Sequence, residues 1–481
     1  MLHCRDVPWR VSTFFIRNTL ISLISWIDAV VTIVLLFVIF FIAHNIQEKN
    51  IERFAYYSHF KRALFLKIFS GIIFCLVYVF YYGGGDTEYY YTGTRSILRM
   101  AGKDFGAFIR LLIGERTMEL RSLFDIHTGW PTYFKDANSW AVCRFSIPFY
   151  ILGCGSYFGM TMIMNILLFI PFWRFYKMIL RIYPKSANIS AIAVFYVPSV
   201  LFWGSGLLKD GWCLSGVLAT YVSCYNIFVR KRQIQLNVFK FFFWSYILIS
   251  IRPYAFYVVF ATTLIWIGSK FIKSIENGFL RVAFFPFVAI LLISIFTIFI
   301  NNADSIAEGH YTTVEGMMSQ AVIVQDDLKR DYYGSNSFDI GPFDASLSGM
   351  LSKFVPATIA GLYRPFIWEA RTPFMLMSGL ENLTLLLLSL WFLVKFRLKL
   401  ISILLKDGFL SSLVIFVVVF AFFIGLTIAN FGALVRYRIV LQPFFCLFIG
   451  RLWQLAQEQK LQDELEEEID TLNENESQLI H

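Results

Sequence analysis

The chain has 481 residues, of which 57% are hydrophobic, 19% aromatic and only 16% charged, and its mean hydropathy is +0.62. That balance excludes a water-soluble globule and makes lipid the solvent. The net charge of +9 is explained first by orientation, with lysines and arginines retained in cytoplasmic loops, so nucleic acid is not expected as a partner.

A bilayer core about 30 Å thick needs roughly 20 apolar residues per helical span, whereas a transmembrane β-barrel shows alternating segments of about ten. Long apolar runs separated by charged punctuation therefore predict an all-α fold: a polytopic transmembrane helical bundle of about nine full spans, a broken or re-entrant helix pair, and two large outer loops. In chain order the spans are expected at 24–44, 63–82, 156–178, 188–206, 211–229, 282–300, 375–396, 408–429 and 435–455. Residues 241–271 are interrupted by Arg252-Pro253, and proline removes a helix hydrogen bond and biases the residue before it away from helix. Two short helices that dip into the membrane and return are expected there. The bundle fills residues 1–455, and an acidic cytoplasmic tail follows at 456–481, amphipathic through Leu461, Leu465, Ile469 and Leu472 and fraying into disorder.

Orientation follows from the short connections. Lys49, Arg53, Lys61 and Arg62 form one basic cluster, Arg174, Lys177, Arg181 and Lys185 a second, and Arg230, Lys231 and Arg232 a third. Lys270 and Lys273, then Lys395, Arg397, Lys399 and Lys406, complete the set. With 241–271 folded as a hairpin, all five fall on one side, which the positive-inside rule makes cytoplasmic. The N-terminus then lies outside, against the preference of Arg5, Arg10 and Arg17; the amphipathic stretch 8–22 is either interfacial or a partial extra span that reverses the end. Large loops at 83–150 and 301–374 also lie outside.

Of the seven cysteines none forms a C-x-x-C pair, so neither a disulfide framework nor a zinc site is indicated. No cleavable signal peptide is expected, because no small-residue cleavage site follows a short apolar core near the start. His127 and His310 are isolated, and neither a phosphate-binding P-loop nor a dinucleotide fingerprint occurs. No cofactor is expected, and a divalent cation is not indicated.

The outer face carries the polar motifs. Gly83-Gly84-Gly85-Asp86-Thr87-Glu88 holds two carboxylates where a span ends; partial desolvation there raises a carboxylate's pKa and makes it a better base. An ordinary glycine turn with solvated acids is the competing reading. Lys209 and Asp210 close Pro198-Ser199-Val200-Leu201-Phe202-Trp203-Gly204-Ser205-Gly206-Leu207-Leu208-Lys209-Asp210, where two spans meet almost without a loop, and charges at that depth must pair with each other or face a cavity. Arg252 lies between two apolar half-helices, so it either binds an interior anion or snorkels to an interface. Tyr363-Arg364-Pro365-Phe366-Ile367-Trp368-Glu369 and Asn430-Phe431-Gly432-Ala433-Leu434-Val435-Arg436-Tyr437-Arg438 set arginines among aromatics at the surface, as an interfacial belt also would.

Taken together, these motifs resemble those of bacterial membrane proteins in polysaccharide biosynthesis, with a layout similar to the GT-C class of glycosyltransferases. The resemblance covers about residues 80–450 as scattered short motifs, and an extra span before the first outer loop departs from the usual arrangement. It implies a multi-pass enzyme of the bacterial cytoplasmic membrane that moves a sugar from a polyprenyl-phosphate-linked donor to a saccharide or lipid acceptor, on the outside or periplasmic side. It places the base at Asp86. The chemistry of the residues agrees: Asp86 or Glu88 can accept the hydroxyl proton, and Arg252, Arg364, Arg436, Arg438 and Lys209, with Asp210 and Glu369 beside them, can hold the leaving phosphate. An O-antigen or exopolysaccharide polymerase or ligase has the same needs. A lipid-linked saccharide transporter is favoured only by the broken helix, since no internal repeat is present.

A reporter fused after Lys231 should register cytoplasm, and one within 301–374 should register the outside. Both on one side would overturn the orientation.

Overall fold

The computed structural model describes residues 24–273, 319, 322–325, 327 and 337–480. The chain is an all-α, multi-pass membrane bundle. Among the described residues eight helices are long and apolar enough to cross a bilayer, nine if one bent pair counts as a span.

Helix α1 (Trp26–Ile51) and α2 (Phe60–Phe80) are the first two spans. Segment 83–150, expected as a loop, is instead a helical cap built from α3 (Asp86–Lys103), α4 (Phe105–Ile113), α5 (Met118–Ser122), α6 (Ala137–Phe145) and α7 (Ile147–Leu152), with a 3-10 turn at Thr132–Lys135. The reason is periodicity: α3 buries Tyr90, Tyr91, Thr94, Ile97 and Met100 along one stripe, and Trp140 of α6 is buried against the cap.

Two of the expected spans and the expected dip are corrected. The expected crossing 188–206 breaks into α9 (Ala187–Phe195) and α10 (Pro198–Trp203) after the long α8 (Tyr157–Ile182), because Pro198 has no N–H to donate and suits only a first helical position. The dip at 241–271 is two full-length helices, α12 (Ile234–Ile251) and α13 (Pro253–Lys273), following α11 (Lys209–Cys224). Eighteen residues of α12 rise about 27 Å at 1.5 Å each, so Arg252 sits at a span end and not at mid-bilayer. Phe241 meets both Phe256 and Phe260, as an antiparallel return requires.

In the second expected loop, the described part holds α14 (Leu347–Ser352) and the apolar α15 (Phe354–Tyr363), which packs into the bundle. Then come α16 (Pro373–Phe396), α17 (Lys399–Lys406) and α18 (Gly408–Thr427). The final span, expected unbroken at 435–455, bends by 63° between α19 (Phe431–Arg438) and α20 (Gln442–Ile480), just ahead of Pro443. Helix α20 runs on through the tail to Ile480, where fraying was expected. The span at 282–300, residues 301–318 and the stretch 8–22 lie outside the described residues.

The bundle has two chemically distinct ends. At one, Asp28 near the start of α1 accepts from Ser156 and the Tyr157 amide at the start of α8. At the other, Lys61 donates its amide to Gln47, Tyr183 donates to Asp407, Arg451 lies over Tyr183, and Trp266, beside Lys270, packs on Phe409. Tyr56 meets Tyr176, and Tyr225 stacks on Trp266, so the basic connections gather at the same end.

Helices α15 and α18 approach closely enough that a Cβ at Gly361 would meet the Ala421 carbonyl oxygen at 2.0 Å, and one at Gly425 the Ala357 oxygen at 1.9 Å. Small residues four apart on both helices allow this contact. Gly425→Ala should therefore lower stability by roughly 1–3 kcal/mol, read as a fall in Tm of the detergent-solubilised protein. An unchanged Tm would mean the two helices are not packed backbone to backbone.

Candidate functional site: a carboxylate and arginine network

The three glycines before α3 all take positive φ, 69°, 111° and 132°, a run that side-chain-bearing residues rarely adopt. The turn they make after α2 sets Asp86 in the first turn of α3 and Asp210 lies in the first turn of α11. Both acids thus lie at the positive ends of helix dipoles.

Arg436 joins them. Its Nη2 donates to Asp86 Oδ2 at 2.8 Å and to Asp210 Oδ2 at 3.4 Å. Arg252 Nη2 donates to Asp210 Oδ1 at 2.5 Å, and its guanidinium lies 3.7 Å from the centre of the Tyr437 ring. Tyr133 donates its hydroxyl to Asp86 Oδ1 at 2.5 Å. Asp210 is fully buried and Arg252 is 4% exposed, so neither charge could stay there without the other. Snorkelling of Arg252 is thereby replaced by a buried pair. Lys209 does not pair with Asp210; its ammonium reaches Asp136 at 3.2 Å, and Asp136 also accepts from Ser139.

A second network shares helix α19. Arg364 binds Glu369 through two nitrogens, Nε at 3.0 Å and Nη2 at 2.5 Å, and lies over the rings of Phe338 and Phe431. Arg438 Nη1 donates to the Arg364 carbonyl at 2.6 Å, while Asn382 donates to the carbonyl of Pro365, which follows a cis peptide bond. Glu381 of α16 accepts the Ser199 amide at 2.7 Å. Arg436 and Arg438 stand two residues apart on α19, so a single short helix carries one cation of each network.

Charge in the first network balances, with two carboxylates against two guanidinium groups. Donor capacity across the two networks does not: Arg252 Nη1 and Arg436 Nε in the first and Arg438 Nη2 in the second are buried without a partner among the described residues. Each such group costs about 1–3 kcal/mol, and all three are donors of the type that binds phosphate oxygens. Among the described residues no three His, Cys, Asp or Glu side chains converge as a metal site.

The acidities outside the spans differ from expectation at one residue. Burial pushes Asp86 up, but Arg436, the Tyr133 hydroxyl and Lys209 together outweigh it and hold the carboxyl below its ordinary range. Desolvation alone was anticipated; the countercharge lies 350 residues along the chain. Glu88 goes the expected way, raised by burial against a weaker opposing backbone hydrogen bond, yet stands apart from the network. Burial pushes Asp136 up, but Lys209, the Ser139 hydroxyl and the Asn138 amide together outweigh it, and it ends below the usual value.

The structure brings Asp86, Lys209, Asp210, Arg252 and Arg436 to one place, and Arg364, Glu369 and Arg438 beside it. Tyr437 stood in the last motif without a role, and Tyr133, Asp136 and Glu381 were missed. Glu381 alone carried a signal, as the one acid in the apolar stretch 375–396. No protein-family model, curated protein or solved structure was found to match the chain.

Arg252→Leu strands a buried carboxylate, so membrane abundance should fall, whereas Arg252→Lys keeps the charge and should preserve it. Arg252→Leu combined with Asp210→Leu should recover part of the loss. Equal abundance of Arg252→Leu and wild type would show that the pair is not buried. Asp86 gives a pH test. Its folded-state pKa lies below the ordinary 3.8, so its contribution to stability is full above that value and is lost as pH falls through the folded-state pKa. The Tm advantage of wild type over Asp86→Asn should be largest near neutrality and close below about pH 4. An advantage that persists in acid would refute the pairing.

Proposed function

We propose that the chain is a membrane glycosyltransferase. It moves a sugar from a polyprenyl-phosphate-linked donor to a saccharide or lipid acceptor on the outer side of the bacterial cytoplasmic membrane, in the synthesis of a cell-surface polysaccharide or glycolipid. The observation that carries this reading is the junction at Arg436, which touches both Asp86 and Asp210 while its Nε and the Arg252 Nη1 remain free to donate.

Transfer forms a bond from the acceptor oxygen to the anomeric carbon and breaks the bond from that carbon to the carrier phosphate. The bonding electrons leave with the phosphate, and the acceptor proton passes to a carboxylate. Asp86 takes the proton. In the resting site Arg436 and Tyr133 keep it ionised but weakly basic. A phosphate bound at Arg436 and Arg252 competes for the same guanidinium, which relieves Asp86 and raises its basicity toward the value a general base needs. The arginines then meet the charge that grows on the leaving oxygen. A span-end location suits a carrier whose phosphate lies at the membrane surface and whose tail lies in lipid.

With the purified protein, a polyprenyl-phosphate-linked sugar and an acceptor, Asp86→Asn should fold and insert but lose about 10²-fold or more in turnover, the usual scale of general-base loss. Near-normal turnover would remove Asp86 from the chemistry.

A further inference from the structure

At the opposite end of the bundle two of the basic connections and the start of α12 converge on one concavity. The end of α8 supplies Arg174, Lys177 and Arg181, the connection after α11 supplies Arg230 and Arg232, and the first turns of α12 supply Lys240; together they line a cavity of about 230 Å³. That is the room of roughly seven or eight waters. No acid lines it, and none of the six cations takes part in a salt bridge among the described residues. Arg181 is within electrostatic reach of Arg230 and Arg232, and Lys177 of Arg174 and Arg181.

A preference of basic loops for one face explains why these residues share an end. It does not explain why three separate segments aim them into one hollow, where like charges repel. The local backbone is shaped to do so. Helix α11 ends in a π-helical turn, Tyr225–Val229, of a kind often found at functional sites. Lys231 and Gln233 take left-handed conformations, φ 51° and 49°. Buried Asn237 fixes the turn by donating to the carbonyls of Arg232 and Gln233, while Asn226 donates to Asn237. Phe228, Ile234, Leu236 and Phe239, close in sequence to the lining residues, are exposed, apolar surface fit for acyl chains.

We propose that this hollow binds a phosphate-bearing anion, and that its source is the headgroup of an anionic phospholipid in the leaflet at the basic end. Interhelical basic pockets of this kind suit anionic headgroups. The site is independent of the transfer reaction proposed above, because it lies at the other end of the bundle.

The test uses the full chain in nanodiscs of mixed phosphatidylglycerol and phosphatidylcholine, with retained lipid read by native mass spectrometry. Wild type should retain phosphatidylglycerol selectively. Arg181→Gln/Arg230→Gln should bind roughly 25-fold more weakly, at about fivefold per charge. Arg121→Gln/Lys135→Gln, which removes two exposed cations from the other end, should behave as wild type. Arg230→Gln/Arg232→Gln repeats the test within the connection if the first pair fails to fold. If instead inorganic diphosphate raises the Tm of wild type but not of the variant, while lipid is not retained, the phosphate site stands and its source is free anion. Equal response of folded variant and wild type to both probes would overturn the proposal.

Discussion

Everything at the motif-bearing end depends on burying charge at the edge of a low-dielectric bundle. Asp210 has no exposure and Arg252 almost none, and removing either partner from such a pair typically costs 3–5 kcal/mol, far more than the intact pair contributes. The helices must therefore arrive in register. Asp210 opens α11 and Arg252 breaks α12 from α13; further along, Tyr221 of α11 meets Thr262 of α13 at 3.2 Å. Counting eleven and ten residues onward from the charged pair, the two helices run side by side from one ionic layer. Gly216 lets Leu248 of α12 lie against α11 at 2.7 Å from where a Cβ would stand, so the third helix shares that register. Arg436 is then fixed by what it must neutralise.

Much of the fold was legible because hydropathy and length are local properties. The glycine run before Asp86 announced a turn, and the turn is there with three positive φ values. Legibility failed where an outcome depends on distant partners. The acidity of Asp86 had the wrong sign because its countercharge comes from α19. Tyr133 and Asp136 sit in a polar stretch whose composition marks nothing, and only the folded cap turns them toward Asp86 and Lys209. The depth of Arg252 was misread for a simpler reason: each flanking helix is long enough to span by itself, so the break falls at the surface. Pro198 was readable as a helix start, and its consequence, a crossing in two pieces, follows from the lost amide donor. Lys67, buried in α2 and donating to the Gly204 carbonyl at 2.7 Å, is the charge that holds the second piece in place.

The two ends divide the labour of a lipid-facing protein. One presents paired charges with spare guanidinium donors under a helical cap, an arrangement that can exchange an internal carboxylate for an external phosphate at little electrostatic cost. The other holds a hollow lined by cations and by no acid, a setting for an anion without a carboxylate beside it. Under the two proposals the same residue chemistry, guanidinium and ammonium donors for phosphate, serves both ends, and the proposed base lies only at the first.

Arg436 is proposed to receive the phosphate that leaves during transfer, beyond neutralising two acids. The most direct measurement is single-turnover sugar transfer from a polyprenyl-phosphate-linked donor by Arg436→Lys, made at equal concentrations of folded protein. Lysine preserves the charge that Asp86 and Asp210 require but lacks the planar fork that binds two oxygens. The account predicts an unchanged Tm with a transfer rate reduced about tenfold or more, the worth of one good charge-assisted hydrogen bond. Transfer at the wild-type rate would contradict it and leave Arg436 a structural countercharge.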